Sequence, residues 1–227
     1  MTIYRQLCGK LGLRRLCCAG ALGAGLAFAG ADMDRLLAVA VQRYGASGTA
    51  AVSAWRDLLA QAGAQPEAIR LKRVNDFFNR RIHFSEDEAI WGKPDHWATP
   101  LETLGRGQGD CEDFAIAKYV TLKLLGVPAE KLRLTYVKAR IGGPQSSVVQ
   151  AHMVLSYYPE PEAEPLVLDN LVTELRPASR RPDLTTVFSF NAEGLWVSGA
   201  TARPASGTLR LSKWQSVLAR MREEGIE

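Results

Sequence analysis

Apolar residues recur at helical spacing over 33–44, 49–62 and 66–81, with Ile69, Val74, Phe77 and Phe78 marking the buried stripe of the third segment. Gly45-Ala46-Ser47-Gly48 and the stretch from Gly63 to Pro66 interrupt that rhythm, so three helices are predicted. From Ser85 to Gly109 the chain is rich in Gly, Pro, Asp and Trp and reads as loop. Helical spacing returns from about Cys111 to Leu125 and stops at Gly126-Val127-Pro128. Beyond it the pattern becomes that of strands: Leu132 to Ala139, Val148 to Tyr158, Leu166 to Asn170, and a last group around Val187 to Asn191 and Leu195 to Val197. Helices first and consecutive strands after predict an α+β fold, N-terminal helices packed on an antiparallel sheet, with a helix from Ser212 to Glu223 closing it. Residues 30–227 contain no repeat and no long linker, so they read as one domain.

The first 29 residues stand apart. Arg5, Lys10, Arg14 and Arg15 precede an acid-free, Gly/Ala-rich apolar run from Leu16 to Ala29, the pattern of a secretory signal peptide cleaved after Ala29 or Ala31. The run falls short of the roughly 20 apolar residues of a membrane span, so export to the periplasm is expected, without direct membrane anchoring. This segment changes how the composition is read. The whole chain carries 28 Lys+Arg against 24 Asp+Glu. Removing the segment takes four basic residues and no acid, so the exported chain is formally neutral. Arg80-Arg81 and Arg180-Arg181 are too short for a nucleic-acid footprint, and no nucleic-acid partner is expected. Cys8, Cys17 and Cys18 leave as well, so Cys111 is the one thiol of the mature chain and cannot form an internal disulfide.

A lone cysteine is ordinarily a small buried hydrophobe. Here it sits in Gly107-Gln108-Gly109-Asp110-Cys111-Glu112-Asp113, where a glycine-rich turn meets a helix start. Asp110 suits the N-cap, and Cys111 then falls on the first turn, where the positive end of the helix favours a thiolate and the backbone N–H can serve an oxyanion. Such a nucleophile needs a base, and the base an orienting group. His83 and His96 lie in helix-end and loop contexts. His152 lies early in one strand, and the next strand ends in Asp169. A hairpin centred between residues 160 and 161 would set His152 directly opposite Asp169.

Cysteine opening a helix, histidine on a strand and aspartate on the next resemble the transglutaminase-like branch of the papain-like fold. The string Trp97-Ala98-Thr99-Pro100 through Glu102, Leu104, Gly105, Gly107, Gly109-Asp110-Cys111-Glu112-Asp113 and Ala115-Ile116-Ala117-Lys118-Tyr119, with Ala151-His152-Met153-Val154-Leu155 and Leu168-Asp169-Asn170-Leu171, resembles the bacterial transglutaminase-like cysteine proteinases of the LapG type. The resemblance implies a periplasmic cysteine endopeptidase. It would cleave the N-terminal region of a large repeat adhesin at a di-alanine site, releasing it and dispersing biofilm. It also implies sequestration by a LapD-like inner-membrane receptor for cyclic di-GMP. Cys111, His152 and Asp169 take the roles of nucleophile, base and orienting acid; Gln108 and Trp97 are candidate side-chain donors to the oxyanion.

Asp110, Glu112 and Asp113 surround Cys111 with carboxylates, which cap a helix well but raise a thiol's pKa. A calcium ion would offset that charge, and the resemblance implies calcium dependence with Asp110, Glu112 and Asp113 as ligands; because calcium takes 6 to 8 oxygens, further ligands must come from a neighbouring loop or strand. Glu86-Asp87-Glu88 reads as a solvated face or helix start. The same triad also supports acyl transfer to an amine, as in a transglutaminase or amidase, and a non-catalytic binding module would keep the residues without a reactive thiol.

Overall fold

The protein is described by a computed structural model covering residues 30–197 and 208–227, with side chains for 30–197 and 212–227. The expected signal peptide lies outside the described residues. The helical region opens with α1 (Met33–Ala62) and α2 (Glu67–Arg81). The helices expected at 33–44 and 49–62 form one run interrupted at Gly45, whose φ of 63° and ψ of −152° are not helical and suit a residue without Cβ. Two-residue strand β1 (His83–Phe84) follows α2, and short helix α3 (Asp87–Trp91), α4 (Pro100–Arg106) and β2 (Gln108–Gly109) occupy the expected loop. The sequence does carry a signal for α4. Thr99 and Glu102 form a reciprocal capping box around Pro100 at the first helical position.

Next come α5 (Cys111–Leu124), β3 (Leu132–Arg140), β4 (Val149–Tyr157), β5 (Leu166–Leu168), β6 (Arg176–Pro177), β7 (Leu184–Phe190), β8 (Leu195–Val197) and α6 (Thr208–Glu224). The sheet is antiparallel, in the order β6-β5-β4-β3-β7-β8, so the predicted fold class holds. Odd-numbered Met153, Leu155 and Tyr157 of β4 join the main core with α1, α2, α4 and α5, in which Trp55 Nε1–H donates to Thr121 Oγ1 at 2.9 Å. Even-numbered Val154 packs with Val137 and Val167 in a second cluster on the other face. Burial on both faces is why Met153, Val154 and Leu155 of β4 are all apolar.

Candidate active site

Two glycines shape the turn before Cys111. Gly107 ends α4 with φ of 66°, the left-handed conformation usual one residue past a helix. Gly109 passes so close to Asp113 that a Cβ would lie 2.8 Å from the Asp113 Cβ. Asp110 then caps α5: its Oδ1 accepts from the N–H groups of Glu112 at 3.1 Å and Asp113 at 3.3 Å. Asp113 completes the box toward Asp110 N–H and also accepts from Ala98 N–H at 2.7 Å, tying the helix start to the preceding loop. Cys111 is thereby fixed on the first turn of α5, and it lines a cleft of about 420 Å³ that His152 also lines.

His152 and Asp169 meet as expected, but through a different register. Pairing of Leu155 with Leu168 and Tyr157 with Leu166 centres the hairpin between residues 161 and 162, one residue later than the sequence suggested. Asp169 is therefore a diagonal rather than direct neighbour of His152; a two-residue offset keeps both on one face. The chain leaves the sheet after Leu168, and Asp169 Oδ1 reaches His152 Nε2 at 2.7 Å. Accepting Nε2–H leaves Nδ1 as the ring's lone-pair nitrogen.

Burial alone would raise the Asp169 pKa. His152, the Leu171 N–H and Arg181 outweigh it and hold the carboxylate well below its usual range. Arg181, read in the sequence only as half of a short basic pair, is buried with its Nη2 2.8 Å from Asp169 Oδ2 and 2.7 Å from Asp183 Oδ2. Lys118, two turns along α5 from Cys111, is also fully buried; its Nζ finds no hydrogen bond and stands 5.6 Å from the Phe114 ring centre. Burial pushes its pKa down to about 7, opposed by Asp169. Distance along the chain hid both relations.

The acidic cluster is assembled differently from the sequence reading. Carboxylate oxygens of Asp87, Asp110 and Asp113 lie within 4.8 Å of one another. Asp87 is 5% exposed rather than solvated, because its carboxylate accepts from His96 N–H and folds inward, whereas Glu86 and Glu88 stay exposed. Its Oδ1 is buried without a partner. Burial and then the neighbouring carboxylates push Asp110 up to about 9 and Asp113 well above the usual range; burial and Glu112 push Asp87 up to about 6. Such a group of inward-turned, crowded carboxylates, one with an unmatched oxygen, fits a hard cation. Glu112 stands beside this group. Its Oε2 accepts from the Cys111 thiol at 2.7 Å. Burial, then Glu112 and Asp110, push the thiol pKa up, opposed by a backbone hydrogen bond from Met153.

The candidate oxyanion donors fall outside the cleft lining. Trp97 is buried, its indole N–H donating to Asp95 Oδ1 at 3.1 Å and its ring stacked 5.8 Å from Phe190. Gln108 is exposed on β2. His96 packs against Trp91 with ring centres 4.4 Å apart and planes inclined at 43°.

The sequence model of the bacterial transglutaminase-like cysteine proteinases matches residues 52–198. Among solved structures, Legionella pneumophila LapG is 40% identical over 84% of this chain and 97% of its own, with a TM-score of 0.70. Its EGTA-treated form gives 40% identity, the same two coverages and a TM-score of 0.72. The calcium-bound form gives 42% identity, coverage of 84% and 99%, and a TM-score of 0.70. A comparison with curated protein sequences finds no match.

Proposed function

The chain belongs to the bacterial transglutaminase-like cysteine proteinases, and we propose that it is a calcium-dependent periplasmic endopeptidase acting on the N-terminal region of a large surface adhesin. The observation that carries this reading is a helix-start cysteine sharing a cleft with a histidine whose far nitrogen is 2.7 Å from a buried carboxylate. Cys111 attacks the scissile carbonyl, and His152 takes the thiol proton at Nδ1 and returns one to the leaving amine. Asp169 accepts from Nε2–H, fixing the tautomer and stabilising the imidazolium. Water then releases the acyl group from sulfur. The Cys111 N–H, oriented by the Asp110 cap, is positioned for the developing oxyanion.

Asp87, Asp110 and Asp113 would hold calcium, with Glu112 adjoining. A bound ion supplies the positive charge that offsets the carboxylates beside the thiol and stiffens the turn presenting it. The chain's own residues support that arrangement independently, since the capping bonds of Asp110 and Asp113 fix where their carboxylates stand.

Release of the adhesin would disperse biofilm, and a LapD-like membrane receptor responsive to cyclic di-GMP would hold the protease back. No helix among the described residues is long and apolar enough to cross a membrane. The test is incubation of residues 30–227 with the N-terminal fragment of the large repeat adhesin from the same bacterium, followed by intact mass measurement. Hydrolysed products cut between adjacent alanines are expected, and none with Cys111→Ala or His152→Ala. An amine-linked product would point instead to acyl transfer, and cleavage surviving Cys111→Ala would refute the nucleophile.

A further inference from the structure

In β4 the hydrogen-bonding direction alternates, and its parity is fixed at both ends. Tyr158 N–H donates to Lys131 O at 2.8 Å, and Ile141 N–H donates to Val148 O at 3.0 Å. Even-numbered residues of this strand therefore turn their amides toward β3, and odd-numbered ones turn theirs toward the opposite edge. On that edge β5 reaches only as far as Leu155. Met153 hydrogen-bonds the Cys111 sulfur. Ala151 and Val149 have no strand beside them among the described residues, and both are exposed.

The gap has a structural cause. After Leu168 the chain is drawn toward α2, where Asn79 Nδ2–H donates to Asp169 O at 2.8 Å and Asn75 Nδ2–H donates to Thr173 O at 2.6 Å. The same departure that sends Asp169 toward His152 thus uncovers two residues of strand edge just before His152. Exposed Phe84 and Leu171 flank the cleft there.

We propose that the substrate enters as an unfolded segment and adds a strand to β4, exchanging main-chain hydrogen bonds with Ala151 and Val149. Resting on the reading of Cys111 as nucleophile, this assigns the substrate class: an extended polypeptide recognised largely through its backbone, with Phe84 and Leu171 contacting alternate side chains. The direction of the edge makes it productive. Ala151 lies two residues, about 6.6 Å of strand, before the Met153 amide that faces the sulfur. A peptide paired at Ala151 therefore brings a carbonyl to Cys111 one or two residues along.

The test uses synthetic twelve-residue peptides copied from either side of the adhesin cut, each with one N-methylated amide. Methylation removes a donor, so kcat/KM should fall about tenfold or more at every second position on one side of the cut and change little at the positions between. Ala151→Pro provides the matching change in the enzyme. It removes an N–H that points away from β3, so the β3 ladder remains, while kcat/KM for the unmodified peptide should fall about tenfold or more. The rate of Cys111 alkylation by iodoacetamide should stay within about twofold, which separates lost pairing from a damaged site. Equal tolerance of methylation at all positions, with the unmodified peptide cleaved, overturns strand addition and leaves the protease assignment standing. Failure to cleave the unmodified peptide and the adhesin fragment alike overturns the assignment itself, and this inference with it.

Discussion

Arg181 and Asp169 form an ion pair with side-chain exposures of only 1% and 0%, Nη2 lying 2.8 Å from Oδ2. The other oxygen of the same carboxylate holds His152, so one buried aspartate is bound on one side by an imidazole and on the other by a permanent cation. Removing one member of a buried pair leaves an uncompensated charge, which costs about 3–5 kcal/mol. Arg181→Met should therefore lower stability by about that amount in urea unfolding. In conditions where the variant remains folded, cleavage should fall by an order of magnitude or more as Asp169 loses its fixed position. Arg181→Lys should restore only part of either, because it lacks the fork that reaches Asp169 and Asp183 together. A variant as stable and active as the parent would remove Arg181 from the site.

The sequence reveals the fold's outline because its periodicities are local. The helix from Cys111 and strands β3 and β4 lie within a few residues of where apolar spacing places them. The hairpin register was legible only to within two residues, since the connection from Tyr158 to Pro165 contains no two-residue turn that would pin it. The helix start at Asp87 was legible, but its place in the acidic cluster was not. Its neighbours are exposed acids, whereas its own carboxylate turns inward to accept from the His96 N–H, nine residues on. Arg181 and Lys118 were equally hidden: a charged residue in one sequence looks solvated, yet Arg181 is buried against a carboxylate 12 positions away and Lys118 is buried with no hydrogen bond to its Nζ.

Lys118 should make stability depend on pH in a specific window. Its native pKa, lowered by burial to about 7, lies below the ordinary value of about 10.4. Between those values the unfolded chain binds a proton that the native chain does not, so this group's penalty grows as pH falls from about 10.4 to 7 and is constant below. Lys118→Met removes the penalty while keeping the volume. Its melting temperature should exceed the parent's most at pH 7 and by a shrinking margin toward pH 10, at about 2–4 °C per kcal/mol. A margin independent of pH would contradict a depressed lysine.

Asp87, absent from the sequence-derived ligand set, gives calcium binding a readout separate from catalysis. At a hundred times the dissociation constant, a ligand confined to the native state adds about 2.7 kcal/mol, or roughly 5–10 °C in melting temperature for a chain of this size. EGTA should lower the parent's melting temperature by that order, and added calcium should restore it. Asp87→Asn keeps the shape and an acceptor for His96 N–H but removes a charge from the cluster, so its calcium-dependent shift should be smaller at the same ion concentration. An undiminished shift would place the ion elsewhere.

The two ends of the described domain pair with each other, which sets apart the chains that the two expected signal cleavage positions would leave. Gly30 O accepts from Glu227 N–H at 2.8 Å, Ala31 bridges to Ile226, and Asp32 N–H donates to Gly225 O at 2.7 Å. Asp32 then caps α1 by accepting from Arg35 N–H at 3.0 Å. Cleavage after Ala29 keeps this ladder, whereas cleavage after Ala31 removes the residues that pair with Ile226 and Glu227. The hydrogen bond lost with Gly30 contributes about 0.5–1.5 kcal/mol. A chain beginning at Asp32 should accordingly melt a few degrees below one beginning at Gly30. Equal melting temperatures would mean that the terminal pairing adds nothing, and the choice of cut would then rest on the leader alone.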